Sequence, residues 1–503
     1  MSRSLASGFL SIAGARIAIL LAGVIFTPLL VRFLGPSSYG RYAVILSVFA
    51  VANFVMGSGT NDAIRKFISE NDDLEWQTAV FGKIGQIALA LALLISFSFL
   101  AGAVTGIVER VFGTGFVALF YLLAIYAISR QSFDFLLRTL MGLQLETYSE
   151  PIKVFQRFLF VATALSAAYL GYDVAGVMIA HILATAVASL LALFALTKYL
   201  DIGAILSTSS VQLPRNSIYR YTVSTMFYFG LLMSLYHVDI LILQQYEREQ
   251  IVGYYKGSLM IAETLWIIPG SLQLALLQRM SNHWDEGNLT LIQQRATITT
   301  RFSLGFTVLV VMGVAALADA FVPLYLGEEF RPSILPLLLL LPGVVGFATA
   351  RPSLAINQAQ RSLRPLILAT GACAAINLGL NLLLIPRYGM AGAAIATSIG
   401  YGSLVIFQAL AARLLGYSLF ADVRFLRIIL VALLSAGPIF GLAWLLPPLV
   451  SLAVVPIVGF ALYSVGTIAL GVFSPDEVDP ILSKLPARYE TKMRSIITLI
   501  PKI

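Results

Sequence analysis

Long apolar runs constrain this chain more than any other feature of its sequence. They recur from Phe9 to Phe473, and each run of about 20 residues is long enough to cross the hydrocarbon core of a bilayer as an α-helix. Only 12% of the residues are charged and 59% are hydrophobic, whereas soluble proteins carry about 25% charged residues. We therefore expect an all-α, polytopic membrane protein with about fourteen transmembrane helices and no large soluble domain.

Hydrophobic periodicity and turn residues define the expected spans. The first apolar run contains Arg16 and has no convincing small-residue cleavage site, so we interpret it as a retained span and not as a signal peptide. The expected spans are 8–33, 39–61, 79–106, 113–140, 152–171, 174–198, 219–246, 251–279, 297–325, 333–357, 366–386, 390–414, 424–446 and 448–473.

Basic residues are distributed unevenly between the two ends of these spans. Most of the 33 lysines and arginines fall on one side. The other side receives only Arg32, Arg41, Arg110, Arg248, Lys256, Arg331 and Arg387. Cytoplasmic loops are the basic ones in membrane proteins, so both termini are expected in the cytoplasm of a cell (inner) membrane. The net charge of +8 is then a topology signal, and nucleic acid is not an expected partner.

An internal repeat divides the spans. Three pairs of short segments match in order at a nearly constant offset: Tyr39–Tyr42 with Val252–Tyr255, Glu150–Pro151 with Arg364–Pro365, and Tyr172–Gly176 with Tyr388–Gly392. An even number of spans separates the members of each pair, so the two units have the same orientation. Parallel repeats of this kind are typical of alternating-access transporters.

The repeat gives the expected domain organisation. Two six-helix lobes are followed by two extra C-terminal helices and a cytoplasmic tail, with bounds 1–210 (helices 1–6), 211–418 (helices 7–12), 419–473 (helices 13 and 14) and 474–503. The single cysteine and three histidines lack the spacing of a zinc site, and no long loop could carry catalytic groups. Neither enzyme activity nor a cofactor is expected.

Two motifs resemble a known family. Residues Phe33–Tyr42 resemble the "LGPxxYGxY" turn of polysaccharide-transporter flippases, and Asn381–Thr397 resembles their "NxxLIPxYGxxGAAxAT" segment. These proteins belong to the multidrug/oligosaccharidyl-lipid/polysaccharide exporter superfamily. The resemblance implies an O-antigen or oligosaccharide flippase that moves polyprenyl-(pyro)phosphate-linked oligosaccharide from the cytoplasmic to the outer leaflet for surface polysaccharide biosynthesis. Its expected partners are that lipid-linked oligosaccharide, membrane lipids, and polymerase or assembly proteins of the polysaccharide.

Two other functions remain as alternatives. A multidrug/cation antiporter on the same fold would have acidic residues in its N-terminal cavity, whereas this chain places arginines there. A membrane glycosyltransferase or ligase would require a catalytic loop with carboxylates or a metal, and the sequence offers no such loop.

Arginines inside the spans are the candidate substrate-binding residues. Arg16 in span 1 and Arg130 in span 4 lie where a charge costs at least ~2.5–3.5 kcal/mol, which favours a wet cavity. Arginine donates bidentate hydrogen bonds to phosphate. Arg130 has a second interpretation as the structural partner of Asp134, one turn away. Arg41 and Lys256, at the outer ends of the two lobes, could receive the head group or anchor the helices at the interface.

Polar residues in the C-terminal half suggest energy coupling. Asp239, Asn377, Asn381 and Thr397 offer oxygen ligands for Na⁺, and they resemble the sodium site of lipid II flippases, with Asn381 where that pattern has a carboxylate. The alternative is that the asparagines join helices by hydrogen bonds. His237 makes proton coupling a rival. Glu263 is a candidate proton carrier or a buried hydrogen-bonding group. No other metal site is expected.

Overall fold

The computed structural model describes residues 5–205, 211, 213–360, 364–474 and 477, with the main chain alone for residues 5–22, 215, 278, 279, 282 and 285. These residues form no strand. Their α-helices, numbered in chain order, are α1 (Leu5–Asn53), α2 (Gly59–Ile68), α3 (Leu74–Val104), α4 (Ile107–Phe112), α5 (Val117–Gly142), α6 (Glu146–Tyr169), α7 (Asp173–Leu196), α8 (Arg215–Tyr246), α9 (Glu249–Thr264), α10 (Ile267–Asp285), α11 (Leu289–Leu326), α12 (Ile334–Gln358), α13 (Arg364–Leu414), α14 (Phe425–Leu445) and α15 (Pro448–Ala469).

The expected multi-span, all-helical class is confirmed. Among the described residues, ten helices are long and apolar enough to cross a membrane, or eleven when the bent pair α9 and α10 counts as one span. The number is below fourteen partly because α1 and α13 each join two expected spans. The helix α6, which carries Lys153 and Arg157, is not among the ten. Each expected span nevertheless coincides with a helix or with part of one.

Glycines in the left-handed backbone region divide the two long helices. Gly35 (φ 68°) interrupts α1 and Gly389 (φ 53°) interrupts α13, a conformation that glycine adopts without steric cost. Pro36 directly follows the first break and suits the first turn of the next helical segment, because it needs no N–H there. Asp173, the repeat partner of Gly389, has nearly the same φ of 52°. The two matched positions thus share a positive φ, and the two lobes expected from the repeat stay a prediction.

Helix boundaries differ from the expected spans in several places, most at the start of α11, which begins eight residues before the expected span 297–325. The second expected span, 39–61, is longer in the structure. After α1 the chain forms a π-helical turn at Phe54–Ser58 and then α2, so Arg65 and Lys66 are helical. The eighth span is not straight, because α9 and α10 meet at a bend of 50°. Both irregularities lie next to charged residues.

The chain divides into two compact units. The first contains residues Met1–Lys256 and Leu380–Ala393, and the second contains Gly257–Gly379 and Ala394–Ile503. In the first unit, side chains of α2, α3 and α5 form an apolar core that includes Ile64, Phe81 and Leu140. In the second unit, α10 to α13 form a comparable core. Because these cores are apolar, the polar side chains buried elsewhere in the units are candidates for a functional role.

Arg301 connects separate parts of the second unit. Its side chain is only 1% exposed and pairs with Asp422 and Glu477 at 2.7 Å each. Its guanidinium also donates to the main-chain oxygens of Asp422 and Val472. Because Asp422 precedes α14 and Val472 follows α15, this one residue of α11 holds both ends of the added helix pair.

Candidate functional site

A polar cavity lies within the first unit, among membrane-spanning helices. Its volume is about 250 Å³, and α2, α5, α8 and the π-helical turn contribute its walls. The lining residues are Asn53, Gly57, Ser58, Asn61, Asp62, Arg130, Asp134, Arg138 and Phe229. Polar groups are costly within hydrocarbon unless they face water, a ligand or each other, so this cavity is the main candidate site.

One face of α5 supplies three of the charges in the cavity. Arg130, Asp134 and Arg138 are spaced four residues apart and therefore line the same side of the helix. Arg130 Nε donates to Asp134 Oδ2 at 2.8 Å. Arg138 has no ion pair and no hydrogen bond within the described residues. Arg130 thus has the structural partner that the sequence suggested and also lines the cavity, whereas Arg138 keeps its donors available.

The π-helical turn shapes the opposite wall. Gln131 Nε2 donates to Thr60 Oγ1 and Asn61 Oδ1 at 3.2 and 3.3 Å, so α5 is tied to the start of α2. A side chain at Gly57 would come within 2.9 Å of Asn61 Nδ2, which explains a glycine there. π-Helical turns occur frequently at functional sites, because they displace side chains from the regular helical positions.

Most of the residues that line this cavity were not predicted from the sequence. The spacing of Arg138 from Arg130 could have identified Arg138, because residues four apart share a helical face. Asp62, Asn53 and Asn61 gave no such signal, because their position in the cavity depends on how α2 packs against α5. Arg16 belongs to α1, but its side chain lies outside the described residues.

Arg41 lies in a network of carboxylates. Its Nη2 contacts Asp173 Oδ2 at 2.6 Å and its Nε lies 3.3 Å from Glu249 Oε2. Ser37 Oγ also donates to Glu249 at 3.3 Å. This geometry corresponds to the anchoring interpretation of Arg41. Lys256 is half-buried in α9 and pairs with no described carboxylate.

Gly40 and Gly253, the matched glycines of the two repeats, pack against each other. A Cβ at Gly40 would overlap the carbonyl oxygen of Glu249, and a Cβ at Gly253 would overlap that of Pro36. Only glycine permits two helices to approach so closely. We call this contact the Gly40–Gly253 crossing, and it lies beside the Arg41 network.

The candidate coupling residues are distributed over both units. In the first unit, Asp239 is 1% exposed and its Oδ2 accepts a hydrogen bond from the Tyr255 hydroxyl at 2.5 Å. His237 Nδ1 shares a hydrogen bond with Ser47 Oγ at 3.2 Å. Asn381 is also buried there.

In the second unit, two of the expected oxygen ligands meet. Asn377 Nδ2 lies 3.5 Å from Thr397 Oγ1 and 3.4 Å from the main-chain oxygen of Ala396. Both side chains are buried. The described residues contain no group of three or more His, Cys, Asp or Glu side chains arranged to hold a metal ion. A sodium site would therefore have to combine one carboxylate with neutral oxygens.

Glu263 lies at the bend of the eighth span. It is half-buried and stands one residue before the last residue of α9. Two residues beyond that end, Trp266 packs on Phe347 and Tyr401. The Arg351 guanidinium lies over Trp266 and Phe347, 5.4 and 4.6 Å from their ring centres, and donates to Gln273 Oε1 at 3.0 Å.

Comparisons with solved structures show the transporter fold. The lipid II flippase MurJ, in an inward closed conformation, matches with a TM-score of 0.67 and 15% identity over 92% of this chain and 97% of that one. An inward-facing multidrug resistance MATE family transporter of the MOP superfamily matches with a TM-score of 0.67 and 17% identity over 79% of this chain and 94% of that one. At these identities the likeness concerns the fold alone.

Two sequence comparisons complete the assignment. An uncharacterized membrane protein of Methanocaldococcus jannaschii is 34% identical over 116 residues, which is 23% of this chain and 23% of that protein. The family model described as "Polysaccharide biosynthesis protein" matches residues 5–276, more than half of the chain. The recognised motifs, the many membrane-length helices and this match agree, and the chain belongs to the polysaccharide biosynthesis protein family.

Proposed function

We propose that this protein is a flippase that moves a polyprenyl-(pyro)phosphate-linked oligosaccharide from the cytoplasmic to the outer leaflet by alternating access. The observation that carries the proposal is the polar cavity of the first unit with Arg130 and Arg138 in its wall. Both termini then lie in the cytoplasm, and the lobes 1–210 and 211–418 rock about the bound head group. The product would pass to the polymerase or assembly proteins of a surface polysaccharide.

The cavity lining suits a phosphorylated sugar. Arginine forks donate paired hydrogen bonds to phosphate oxygens, and Arg138 has no ion pair within the described residues that would compete for its donors. Asn53, Asn61 and Asp62 can exchange hydrogen bonds with sugar hydroxyls. Phe229 adds an apolar surface of the kind that sugar rings pack against. Arg130 is held in a defined orientation by Asp134.

An apolar groove in the second unit suits the lipid part of such a substrate. Its volume is about 390 Å³, and α11, α14 and α15 form its walls. Phe306, Leu317, Ile439, Val455 and Phe460 are among the lining residues, which include no charged or hydrogen-bonding side chain. The helices α14 and α15 are the pair added after the two lobes. A prenyl chain that enters the groove from the bilayer exchanges one apolar surface for another, so the groove offers packing contacts and no polar group that would have to be desolvated.

Transport of a lipid-linked oligosaccharide in liposomes tests this function. We expect Arg138→Ala and Arg130→Ala each to slow leaflet exchange of a fluorescent polyprenyl-pyrophosphate oligosaccharide by about tenfold or more, because each change removes a charge-assisted hydrogen bond. Arg331→Ala is the matched control, since Arg331 and its partner Glu328 are exposed. Wild-type rates in both cavity variants would contradict the assignment of this cavity.

A multidrug/cation antiporter is the second candidate function. Asp62 and Asp134 favour it, because both acids line the cavity and could bind a cation. The same liposomes distinguish the two functions when they are loaded with a cationic dye. Export of the dye without movement of the lipid-linked sugar would replace the flippase proposal.

Ion coupling is proposed to depend on Asp239. We expect Asp239→Asn to abolish the dependence of transport on an imposed Na⁺ gradient, because the neutral amide cannot compensate the charge of the ion. Tyr255→Phe, which removes the hydroxyl that donates to Asp239, should change the dependence without abolishing it. Transport rates are compared under Na⁺ and pH gradients. An unchanged Na⁺ response in Asp239→Asn would exclude this site, and a response to pH alone would direct attention to His237 and Glu263.

A further inference from the structure

Arg157 is a charged residue near the middle of α6, the helix that corresponds to the expected span 152–171. It lies roughly halfway along α6 (Glu146–Tyr169), where an arginine costs at least ~2.5–3.5 kcal/mol. Its guanidinium lies over two aromatic rings, 5.4 Å from the centre of Phe26 and 5.7 Å from that of Phe160. Such faces attract a cation but accept no conventional hydrogen bonds.

The Arg157 guanidinium makes no hydrogen bond to the side chains and main chain that the structure describes. Within the described residues it has no ion pair and no hydrogen bond, and its Nε is buried without an acceptor. Two other basic residues of the expected spans have acidic partners. Arg130 pairs with Asp134, and Lys153, one turn before Arg157 on the same helix, pairs with Glu150. An arginine held in the membrane with free donors is suited to binding an anion.

Aromatic residues of three helices surround the guanidinium on one side. Phe160 stacks on His181 with ring centres 3.9 Å apart, and His181 Nε2 shares a hydrogen bond of 2.8 Å with the Tyr42 hydroxyl. The aromatic wall behind Arg157 is therefore fixed by α1, α6 and α7. On α1, Gly23 faces the guanidinium, and even a Cβ there would lie 3.5 Å from Nη2. The main chain of α1 therefore lies close to the Nη2 side of the guanidinium.

We propose that Arg157 is a binding residue for a lipid-borne phosphate or pyrophosphate group, separate from the polar cavity that contains Arg130 and Arg138. The aromatic faces of Phe26 and Phe160 orient the guanidinium, and its free N–H groups donate to the phosphate oxygens. This inference rests on the proposed function, because it assigns the anionic linkage of the same substrate to a further residue. Preorganised donors of this kind lose little entropy when the anion binds.

Binding of farnesyl diphosphate to the purified full-length chain in dodecyl maltoside tests the proposal. We expect Arg157→Gln to weaken binding about tenfold or more in calorimetric titrations, and Arg157→Lys to weaken it less, because lysine keeps the charge but loses the fork. Lys153→Gln is the matched control on the same helix and should bind as wild type does. Equal affinities of wild type and Arg157→Gln would overturn the proposal.

Further ligands distinguish the sources of the phosphate. Inorganic pyrophosphate and phosphatidylglycerol are titrated in parallel with farnesyl diphosphate. If inorganic pyrophosphate and phosphatidylglycerol both bind more weakly than farnesyl diphosphate does, the result supports a site for the lipid-linked pyrophosphate. Phosphatidylglycerol binding that matches farnesyl diphosphate and is equally sensitive to Arg157→Gln would instead assign Arg157 to ordinary membrane lipid and overturn the substrate assignment.

A chemical rescue separates binding from folding. The only cysteine of the chain is Cys373, so Arg157→Cys in a Cys373→Ser background carries a single thiol. Modification with a thiosulfonate that adds an ammonium group should restore farnesyl diphosphate binding, whereas a neutral methyl reagent should not. Equal recovery with both reagents would show that Arg157 has only a structural role.

The liposome assay and the binding assay together test the role of Arg157 separately from the flippase function. If wild type moves the lipid-linked sugar and Arg157→Gln binds farnesyl diphosphate normally, the role of Arg157 is wrong and the flippase function stands. If wild type moves no such lipid but binding depends on Arg157, the anion site stands and the flippase function is wrong.

Discussion

Arg301→Ala is expected to lower the free energy of unfolding by about 3–5 kcal/mol, because it removes a large, fully buried side chain, leaves a cavity and breaks the hydrogen bonds from α11 to Asp422, Val472 and Glu477. Arg301 is 1% exposed and joins Asp422 to Glu477. The variant removes the contact that holds both ends of the α14 and α15 pair against α11. Chemical unfolding in detergent, followed by tryptophan fluorescence, measures the difference.

Arg331→Ala provides the matched comparison. Arg331 also pairs with a glutamate, Glu328, but the two side chains are 57% and 74% exposed. Exposed ion pairs contribute only about 0–1 kcal/mol. A loss in Arg301→Ala no larger than that in Arg331→Ala would show that the buried network does not hold the helix pair in place.

The ion pair between Arg301 and Glu477 predicts that the stability of the folded protein depends on pH. Burial alone would raise the pKa of Glu477, but hydrogen bonds from Ser474 and the charge of Arg301 together hold that pKa below its ordinary value of 4.5. A group with a lowered pKa stabilises the folded state while it is ionised. Its contribution is complete above pH 4.5 and is lost as the pH falls through the lowered pKa. Glu477→Gln should remove this part of the acid sensitivity, which thermal melts across that range would detect.

Gly40→Ala is expected to destabilise the Gly40–Gly253 crossing by about 1–3 kcal/mol, the usual cost of excess volume in a close-packed contact. The added methyl group would overlap the carbonyl oxygen of Glu249, which is main chain and cannot rotate away. The two helices must separate, and the Arg41 pairs with Asp173 and Glu249 beside them weaken. Thermal unfolding and the rate of lipid transport both report this change.

Gly437→Ala is the control for Gly40→Ala. Gly437 lies inside α14, and among the described residues no neighbouring atom comes within 4 Å of the position that an added methyl group would occupy. Alanine is favoured over glycine in a helix by roughly 1 kcal/mol, so this variant should be neutral or more stable. Equal stability of the two variants would show that the crossing tolerates separation of its helices.

Much of the architecture follows from local sequence. Each expected span coincides with helix because a run of apolar residues in hydrocarbon must satisfy its main-chain hydrogen bonds internally. The breaks at Gly35 and Gly389 were expected because glycine and proline mark turns. The internal repeat stays a prediction, and the positive φ at both Asp173 and Gly389 agrees with it at that one matched position.

The sequence shows which charged residues lie within the expected spans, but only some of their contacts could be predicted from it. The spacing of Arg130 and Asp134 suggested their pair before any contact was known, because residues four apart on a helix are neighbours. The interfacial position of Arg41 stays a prediction, and its partners Asp173 and Glu249 lie far away in the sequence. The roles of Asp239, Asn377, Asn381, Thr397, His237 and Glu263 in coupling stay predictions.

The sequence by itself determined the helices, their breaks and the family, because each depends on neighbouring residues or on a short motif. Only the tertiary structure decided which polar groups meet, such as Asp62 with the α5 arginines in one cavity, and which aromatic rings face Arg157. The physical reason is that lipid-facing and helix-facing surfaces are both apolar in a membrane. Hydrophobic periodicity therefore does not specify which helix faces pack together, and packing alone brings distant polar side chains to one site.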